Sequence, residues 1–296
     1  MILIRNKKKN QVSKLKRTRK EEYHEIISQI PELEYHPTSP FIQVNNLVKN
    51  FKLGDTQIQA VDNITLNIHQ HEYVVIVGES GAGKTTLLHL LGGLDKPSAG
   101  KVILSHIDLS HFDQETLATF RIFTVGIVFQ NYNLISSLTS LENILFPMQL
   151  CDFTVEESLK RATELLESVG LSARADHLPF QLSAGEQQRV AIARALALNP
   201  PIILADEPTA NLDKTNAEYI GRLFEELRQQ GKTVVLISHD EKLIKHAHRK
   251  LEMAEGKIVK DEILQEIIFN DSIENFATNL DENSTVNSEK NSEEGM

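Results

Sequence analysis

Cysteine is almost absent from this sequence, since Cys151 is the only one among 296 residues. A single cysteine cannot form an internal disulfide, and nothing here resembles a cysteine-based zinc cluster. We therefore expect Cys151 to be a packing residue. The chain is nevertheless 41% hydrophobic, which is enough for a sizeable core, so one large or two small globular domains are expected.

Long hydrophobic runs are also missing. No apolar run approaches the roughly 18 residues that a membrane-spanning helix needs, so the chain is not expected to cross a membrane by itself. The first four residues are apolar but precede the basic residues, which is the reverse of a secretory signal. These features predict a cytoplasmic protein.

Each end of the chain nearly lacks charge of one sign. The first 20 residues contain nine Lys or Arg and no acid, whereas residues 261–296 contain ten Asp or Glu and one Lys. Such runs are typically solvated or disordered, and the alternative for the basic end is attraction to an anionic membrane surface. The net charge of −10 argues against non-specific binding of nucleic acid.

The first predicted element is a short amphipathic helix over residues 21–30. Its apolar residues have helical spacing, from Tyr23 to Ile30, and Pro31 ends the helix. Such a helix must lie on another surface. Either its own core domain or a partner protein provides that surface.

The following segments predict an α/β fold. Residues 41–44 and 58–68 alternate as strands do, with a turn at Gly54 and Asp55. Unbroken apolar runs at residues 202–205 and 234–237 are typical of strands buried on both faces of a parallel sheet. Residues 131–179 are predicted to be mainly helical, including 155–169, and form a helical insertion into this core.

One glycine-rich stretch carries the clearest chemistry. Gly78 and Gly83 bracket four residues, and Lys84 and Thr85 follow directly, between an apolar run and a leucine-rich helix. Glycines let backbone N–H groups approach phosphate oxygens, and Lys84 supplies a charge to the β- and γ-phosphates. The Thr85 hydroxyl suits Mg²⁺. A plain glycine turn would not require this context. The predicted nucleotide-binding residues of the loop are Gly78, Glu79, Ser80, Gly81, Ala82, Gly83, Lys84, Thr85 and Thr86.

Polar residues stand where three other apolar runs end. Gln130 follows the run at 125–129, Asp206 and Glu207 follow the run at 202–205, and His239 follows the run at 234–237. Ligands of open α/β sheets bind outside the carboxyl ends of the strands, so these groups are expected to converge with the glycine-rich loop. There Asp206 can hold Mg²⁺, and Glu207 can position or deprotonate an attacking water.

A second motif gives the sequence a family resemblance. Residues 182–189 read Leu-Ser-Ala-Gly-Glu-Gln-Gln-Arg, which closely resembles the signature motif of ATP-binding cassette (ABC) ATPases. The motif lies just before residues 202–206, which resemble the Walker B run of that family. Residues 91–102, 128–134 and 138–144 look like the lipoprotein-release, macrolide-export and antimicrobial-peptide-export cassettes.

The resemblance covers residues 41–260 and implies a P-loop NTPase core with a mostly parallel sheet. It also implies an N-terminal antiparallel β subdomain and an inserted helical subdomain at about residues 131–185. Residues 1–40 would then be a basic extension that carries the short helix. Residues 261–296 would be an acidic, largely disordered tail.

The resemblance also implies a role for individual residues toward ATP and Mg²⁺. Phe51 stands where the family stacks an aromatic ring on adenine, although a core phenylalanine would fit the strand pattern equally well. Metal ligands would be Thr85, Gln130 and Asp206. Catalytic groups would be Gln130, Glu207 as the base and His239 as the γ-phosphate switch. Further contacts to nucleotide would come from Ser183, Gly185 and Glu186 in the signature, and from Asp213 in the D-loop, which residues 211–213 match.

Two residues depart from the family pattern. Ala184 replaces the usual first glycine of the signature, and His71 replaces a common turn glycine. If position 184 requires a positive φ, alanine there would cost about 1 kcal/mol and weaken contact with a partner's nucleotide.

The resemblance implies a cassette that dimerises head to tail around two ATP molecules, as a homodimer, and drives a separate integral membrane permease. It would lie on the cytoplasmic face of the membrane. A regulatory ABC ATPase that acts on a membrane partner without moving a solute is the open alternative. ABC ATPases of DNA repair need long coiled-coil arms, and the segment from Thr86 to Gln181 is too short for them. A P-loop kinase or GTPase would leave the signature unexplained.

Overall fold

The computed structural model describes residues 18–28 and 40–265. The predictions for Ile30, Pro31, the basic residues before Thr18 and the acidic tail after Gln265 lie outside these residues. The helices are α1 Arg19–Ser28, α2 Lys84–Leu91, α3 Gln114–Thr124, α4 Ser140–Gln149, α5 Val155–Ser168, α6 Ala184–Ala195, α7 Lys214–Gln229 and α8 Glu241–Ile244. The strands are β1 Ile42–Leu53, β2 Thr56–Ile68, β3 Tyr73–Val77, β4 Ala99–Leu104, β5 Ile107–Asp108, β6 Val125–Val128, β7 Ile202–Asp206, β8 Thr233–Ile237, β9 Arg249–Ala254 and β10 Lys257–Ile263.

The strands form two sheets. A four-stranded antiparallel sheet has the order β2-β1-β4-β5, and its first hairpin turns at Gly54 and Asp55 as predicted. A six-stranded sheet has the order β10-β9-β3-β8-β7-β6 and is parallel except for β10. The predicted fold class is therefore confirmed, including the antiparallel β region and the helices inserted between β6 and β7.

The larger sheet separates two hydrophobic cores. Along β8, Val235 and Ile237 pack into one core, while Val234 and Leu236 pack into the other. Both faces of this strand are covered, which explains why its sequence is an unbroken apolar run. Polar residues lie at the edge of the sheet that is formed by the carboxyl ends of β3, β8 and β7.

Helix α1 lies on the protein's own core, which was the first of the two predicted surfaces. The Tyr23 ring is 4.7 Å from the Phe123 ring, between centroids, and 6.4 Å from the Phe120 ring on α3. The helix begins at Arg19 rather than at residue 21, because Thr18 and Glu21 cap it reciprocally through hydrogen bonds of 3.1 and 2.8 Å.

The helical insertion begins later than the sequence indicated. Residues 131–139 form a loop, since Tyr132 and Asn133 have left-handed backbone conformations that a helix cannot contain. Helix α4 starts at a capping box formed by Thr139 and Glu142. Cys151, just after this helix, is fully buried and its pKa is raised to about 11 by burial, so the prediction of a packing residue is confirmed.

Within residues 18–28 and 40–265, every helix is too short or too polar to cross a membrane.

Candidate functional site

A cavity of about 540 Å³ lies where β3, β7 and β8 end. It contains the glycine-rich loop and the four polar groups that the sequence placed at strand ends. Their predicted convergence is therefore confirmed. The lining residues are Ala60, Gly78, Ser80, Gly81, Gly83, Lys84, Thr85, Thr86, Gln130, Asp206, Glu207, Ala210, Ile237 and His239.

Two glycines of the loop are required by close backbone contacts. Gly83 has φ 97°, and a Cβ atom there would lie 2.0 Å from the Ala60 carbonyl oxygen. A Cβ atom on Gly78 would lie 2.2 Å from the Met253 carbonyl oxygen. Because only glycine fits both positions, the loop can bend tightly between β3 and α2 with its N–H groups along the cavity.

The Lys84 ammonium lies over the glycine-rich loop. Its Nζ atom donates to the carbonyl oxygens of Gly78 at 2.7 Å and Glu79 at 2.8 Å. Lys84 is also the first residue of α2, so its charge adds to the partial positive charge of a helix N-terminus. The loop thus combines a helix N-terminus with a full positive charge, a combination that suits an anion.

Glu207 and His239 lie side by side in the cavity lining. The His239 Nδ1 atom lies 3.2 Å from one carboxylate oxygen of Glu207 and 3.3 Å from the other. Glu207 has φ 46°, an uncommon conformation for glutamate, and its N–H donates to the Ile237 carbonyl oxygen at 3.0 Å. That backbone bond joins the ends of β7 and β8, the two strands that Glu207 and His239 follow. Strained backbone of this kind is often found at functional sites.

The cavity also offers oxygen donors for a divalent cation. Thr85 contributes a hydroxyl, Gln130 an amide oxygen and Asp206 a carboxylate, which are ligands that Mg²⁺ accepts together with phosphate oxygens. No cluster of three or more His, Cys, Asp or Glu suited to a metal occurs in the described part of the chain. The donor set of Thr85, Gln130 and Asp206 fits Mg²⁺ that is also bound by phosphate oxygens.

Several predicted nucleotide contacts lie outside the cavity lining. Phe51 on β1 is 42% exposed, with the Lys49 Nζ atom 5.0 Å from its ring centroid. Its exposure makes a core role less suitable than a stacking role. Other predicted residues that do not line the cavity are Glu79, Ala82, Ser183, Gly185, Glu186 and Asp213.

The signature residues form the start of α6. The Ser183 hydroxyl accepts a hydrogen bond from the Glu186 N–H, and the Glu186 carboxylate accepts one from the Ser183 N–H at 2.8 Å. Arg174 donates to the same carboxylate at 2.9 Å. The Ser183 N–H, and then the Arg174 guanidinium, lower the pKa of Glu186 to about 2. This helix end is thus fixed by its own side chains.

Gly185 packs closely against the side chain of Asn216 on α7, and its φ is not positive. A Cβ atom there would lie 2.4 Å from the side-chain oxygen of Asn216 on α7. The Asn216 Nδ2 atom donates to an oxygen of Asp213 at 2.6 Å. The signature and the D-loop therefore meet within the same chain.

The two departures from the family pattern have different consequences. Ala184 is absent from the residues with positive φ and begins α6 in ordinary helical geometry, so alanine at this position causes no backbone strain. His71 does have a left-handed conformation, with φ 61°. Its N–H donates to the Thr233 hydroxyl at 3.0 Å, which helps to hold the turn.

The low pKa of Glu186 predicts a pH dependence of stability. A carboxyl whose pKa is lower in the folded than in the unfolded state stabilises the protein above its unfolded pKa, near 4.5, and this contribution is lost as pH falls toward 2. Glu186→Gln keeps the capping box but cannot titrate. We expect the free energy of unfolding of the variant to fall less than that of the unmodified chain between pH 6 and 3, by about 1 kcal/mol or more. Urea denaturation at each pH measures the free energy of unfolding. An equal decrease in the variant and in the unmodified chain would contradict this prediction.

Three lining residues were not predicted from the sequence. Ala60 belongs to β2, Ala210 follows β7 at some distance, and Ile237 is the last residue of β8. Small or apolar residues carry no chemical signal, and only the chain topology places them in the cavity.

Comparisons with known proteins agree with this geometry. The family model described as ABC transporter matches residues 61–210. The macrolide export ATP-binding/permease protein MacB of Hyphomonas neptunium is 42% identical over 224 residues, which are 76% of this chain and 35% of that protein. The chain thus spans about a third of the length of this MacB relative. The ABC transporter ATP-binding protein MJ0796 of Methanocaldococcus jannaschii is 44% identical over 229 residues, which are 76% of this chain and 97% of that protein.

Solved structures give the same result. A dimeric MJ0796 cassette in a post-hydrolysis state with ADP and Pi superposes with a TM-score of 0.72 and 42% identity, covering 76% of this chain and 100% of that one. The cassette cbiO1 of Clostridium perfringens gives a TM-score of 0.69 at 28% identity, covering 76% of this chain and 89% of that one.

Proposed function

Because the chain belongs to the ABC transporter family and is an ATPase cassette of that family, we propose that two copies close around two Mg-ATP molecules and drive a membrane permease. The observation that carries the proposal is the cavity, which brings the phosphate loop together with Gln130, Asp206, Glu207 and His239.

Each wall of the cavity has a role in hydrolysis. The loop amides and Lys84 bind the phosphates of ATP, and the Phe51 ring stacks on adenine. Thr85, Gln130 and Asp206 hold Mg²⁺, which offsets phosphate charge when bound. Glu207 orients and deprotonates the attacking water, while His239 contacts the γ-phosphate and is itself oriented by Glu207.

The second copy supplies the remaining contacts. Ser183, Gly185 and Glu186 do not line the cavity of their own chain. In a head-to-tail dimer, the start of α6 would face the γ-phosphate held by the partner's loop, and Asp213 would lie at the same interface. The solved structures of MJ0796 are dimeric, which supports a two-copy assembly.

The membrane partner is proposed from the relatives. The MacB relatives are named as ATP-binding/permease proteins, and the ABC transporter family model matches residues 61–210 of this chain. We place the chain on the cytoplasmic face of a membrane, with a permease of the lipoprotein, macrolide or peptide export type docked near Gln130 and the helical region. Solute flux in vesicles containing both proteins tests transport. ATPase stimulation without flux would favour the regulatory alternative.

Lys84→Ala tests the phosphate cradle. Because the variant loses a full charge beside the phosphates, we expect ATP affinity to fall by about tenfold or more and hydrolysis to fall with it. Calorimetric titration of the full chain with Mg-ATP measures the change. Lys160→Ala, on the exposed side of α5, is the matched control and should bind normally. Equal affinity in both variants would remove Lys84 from the site.

A further inference from the structure

Arg194 connects the signature helix to the loop that follows Gln130. It lies in the last turn of α6, and its guanidinium donates to the carbonyl oxygens of Tyr132, at 2.8 Å, and Asn133. No carboxylate forms an ion pair with Arg194 among residues 18–28 and 40–265, and burial lowers its pKa. These two carbonyl groups are therefore the main partners of a largely buried charge.

The loop at this point has a backbone that needs outside support. Tyr132 and Asn133 are consecutive and left-handed, with φ 58° and 49°. This conformation costs about 1 kcal/mol for a bulky residue such as Tyr132, whereas asparagine adopts it more readily. The planar guanidinium can bond both carbonyl groups at once, which a lysine ammonium on a flexible stem does less well.

The same loop also lies close to the D-loop. The Asn211 side chain in the D-loop lies near the Tyr132 hydroxyl, where it partly offsets the rise in pKa that burial causes. The D-loop also approaches the other end of α6, since Asn216 bonds Asp213 and packs against Gly185. Arg194 thus connects one end of α6 to the loop after Gln130, and Asn216 connects the other end to Asp213.

We propose that Arg194 is a positioning residue that makes the Gln130 loop and α6 move as one body. The helix has twelve residues and is about 18 Å long, so it can carry a displacement of Ser183 to the carbonyl groups two and three residues after Gln130. A partner's nucleotide that pulls on the signature would thereby reposition Gln130 in the same chain. The inference rests on the proposed roles of Gln130 and Ser183.

Arg194→Lys and Arg194→Gln test this link in the full chain. We expect amide hydrogen exchange to become about tenfold faster in residues 131–135, because charged hydrogen bonds that hold the loop are lost. Exchange in β7 should stay unchanged. We further expect kcat to fall while the Kd for ATP stays within about twofold, since the phosphate loop is not touched.

Arg161→Lys is the matched control. Arg161 is also a partly buried arginine that donates to a carbonyl oxygen, that of Leu196, but it lies on α5 and does not contact the loop. A purely structural role of Arg194 predicts the same effects as this control, namely a lower melting temperature with no selective change in the loop or in kcat. That result would overturn the proposal, as would unchanged exchange in a folded Arg194→Lys protein.

If Arg194→Gln does not fold, Arg194→Lys alone tests the proposal. These experiments distinguish failure of the proposed ATPase function from failure of the Arg194 link. If the unmodified chain hydrolyses no ATP, the proposed function fails, yet loop exchange still tests the Arg194 link. If the unmodified chain hydrolyses ATP and the Arg194 variants match the control, only the link fails.

Discussion

Glu207→Gln should bind Mg-ATP normally and hydrolyse it at least about 100-fold more slowly, because it loses the general base and keeps the phosphate cradle. Glutamine has nearly the same shape and can still accept a hydrogen bond from His239, whose Nδ1 atom is 3.2 Å from the Glu207 carboxylate. The cavity geometry is therefore retained while the proton acceptor is removed. Steady-state phosphate release and calorimetric ATP binding measure the two effects separately.

The variant should also accumulate as an ATP-bound dimer. If ATP holds the two copies together and hydrolysis separates them, a chain that binds without hydrolysing remains closed. Size-exclusion chromatography with light scattering would then show a dimer with ATP and a monomer without it. Glu255→Gln is the matched control, since Glu255 is also left-handed, with φ 48°, but does not line the cavity. Near-normal turnover of Glu207→Gln would exclude Glu207 as the base.

The chemistry of the cavity was predictable because its signals are local. The phosphate loop is a contiguous motif, and Asp206, Glu207 and His239 each follow a strand that the sequence marks as buried. One general property of parallel sheets, that carboxyl ends share an edge, is enough to bring them together. The register of β3, β7 and β8 then fixes the details.

Contacts that depend on tertiary packing were not predictable in the same way. Ala60 limits the side chain at Gly83 through its backbone oxygen, and no residue type marks such a contact. Arg194 has an ordinary place in a helix, and its function depends on a loop 61 residues away. The start of that loop was assigned to helix because Tyr132 is not typical of left-handed backbone, although Asn133 is a residue type that adopts it. The sequence alone could not show whether Ala184 has a positive φ, and the helical geometry of α6 shows that it does not.

Ser183→Arg should leave ATP affinity of the monomer unchanged within about twofold and block hydrolysis, since the signature is proposed to act on the partner's nucleotide. Ser183 does not line the cavity of its own chain, so an arginine side chain there does not obstruct the phosphate loop of the same chain. It would instead fill the space that a partner's γ-phosphate occupies when the dimer closes. Binding and turnover should therefore respond differently to this one substitution.

The substitution also removes an N-cap, which costs about 1 kcal/mol of stability and must be separated from the effect on closure. Thr154→Arg provides the comparison, since Thr154 forms the same kind of capping box with Glu157 at the start of α5. Both variants should lose similar stability on heating, but only Ser183→Arg should lose hydrolysis and ATP-dependent dimerisation.

Mixing Ser183→Arg with Lys84→Ala gives a test of the composite site. In a mixed dimer, the Ser183→Arg copy keeps an intact phosphate loop, and the Lys84→Ala copy presents an intact signature to that same loop. One whole site therefore remains, and recovery of hydrolysis that neither variant has alone would establish the contact between copies. The opposite result is equally clear: if Ser183→Arg alone hydrolyses ATP at the unmodified rate and still dimerises with ATP, the start of α6 does not act across the dimer and the proposed mechanism is wrong.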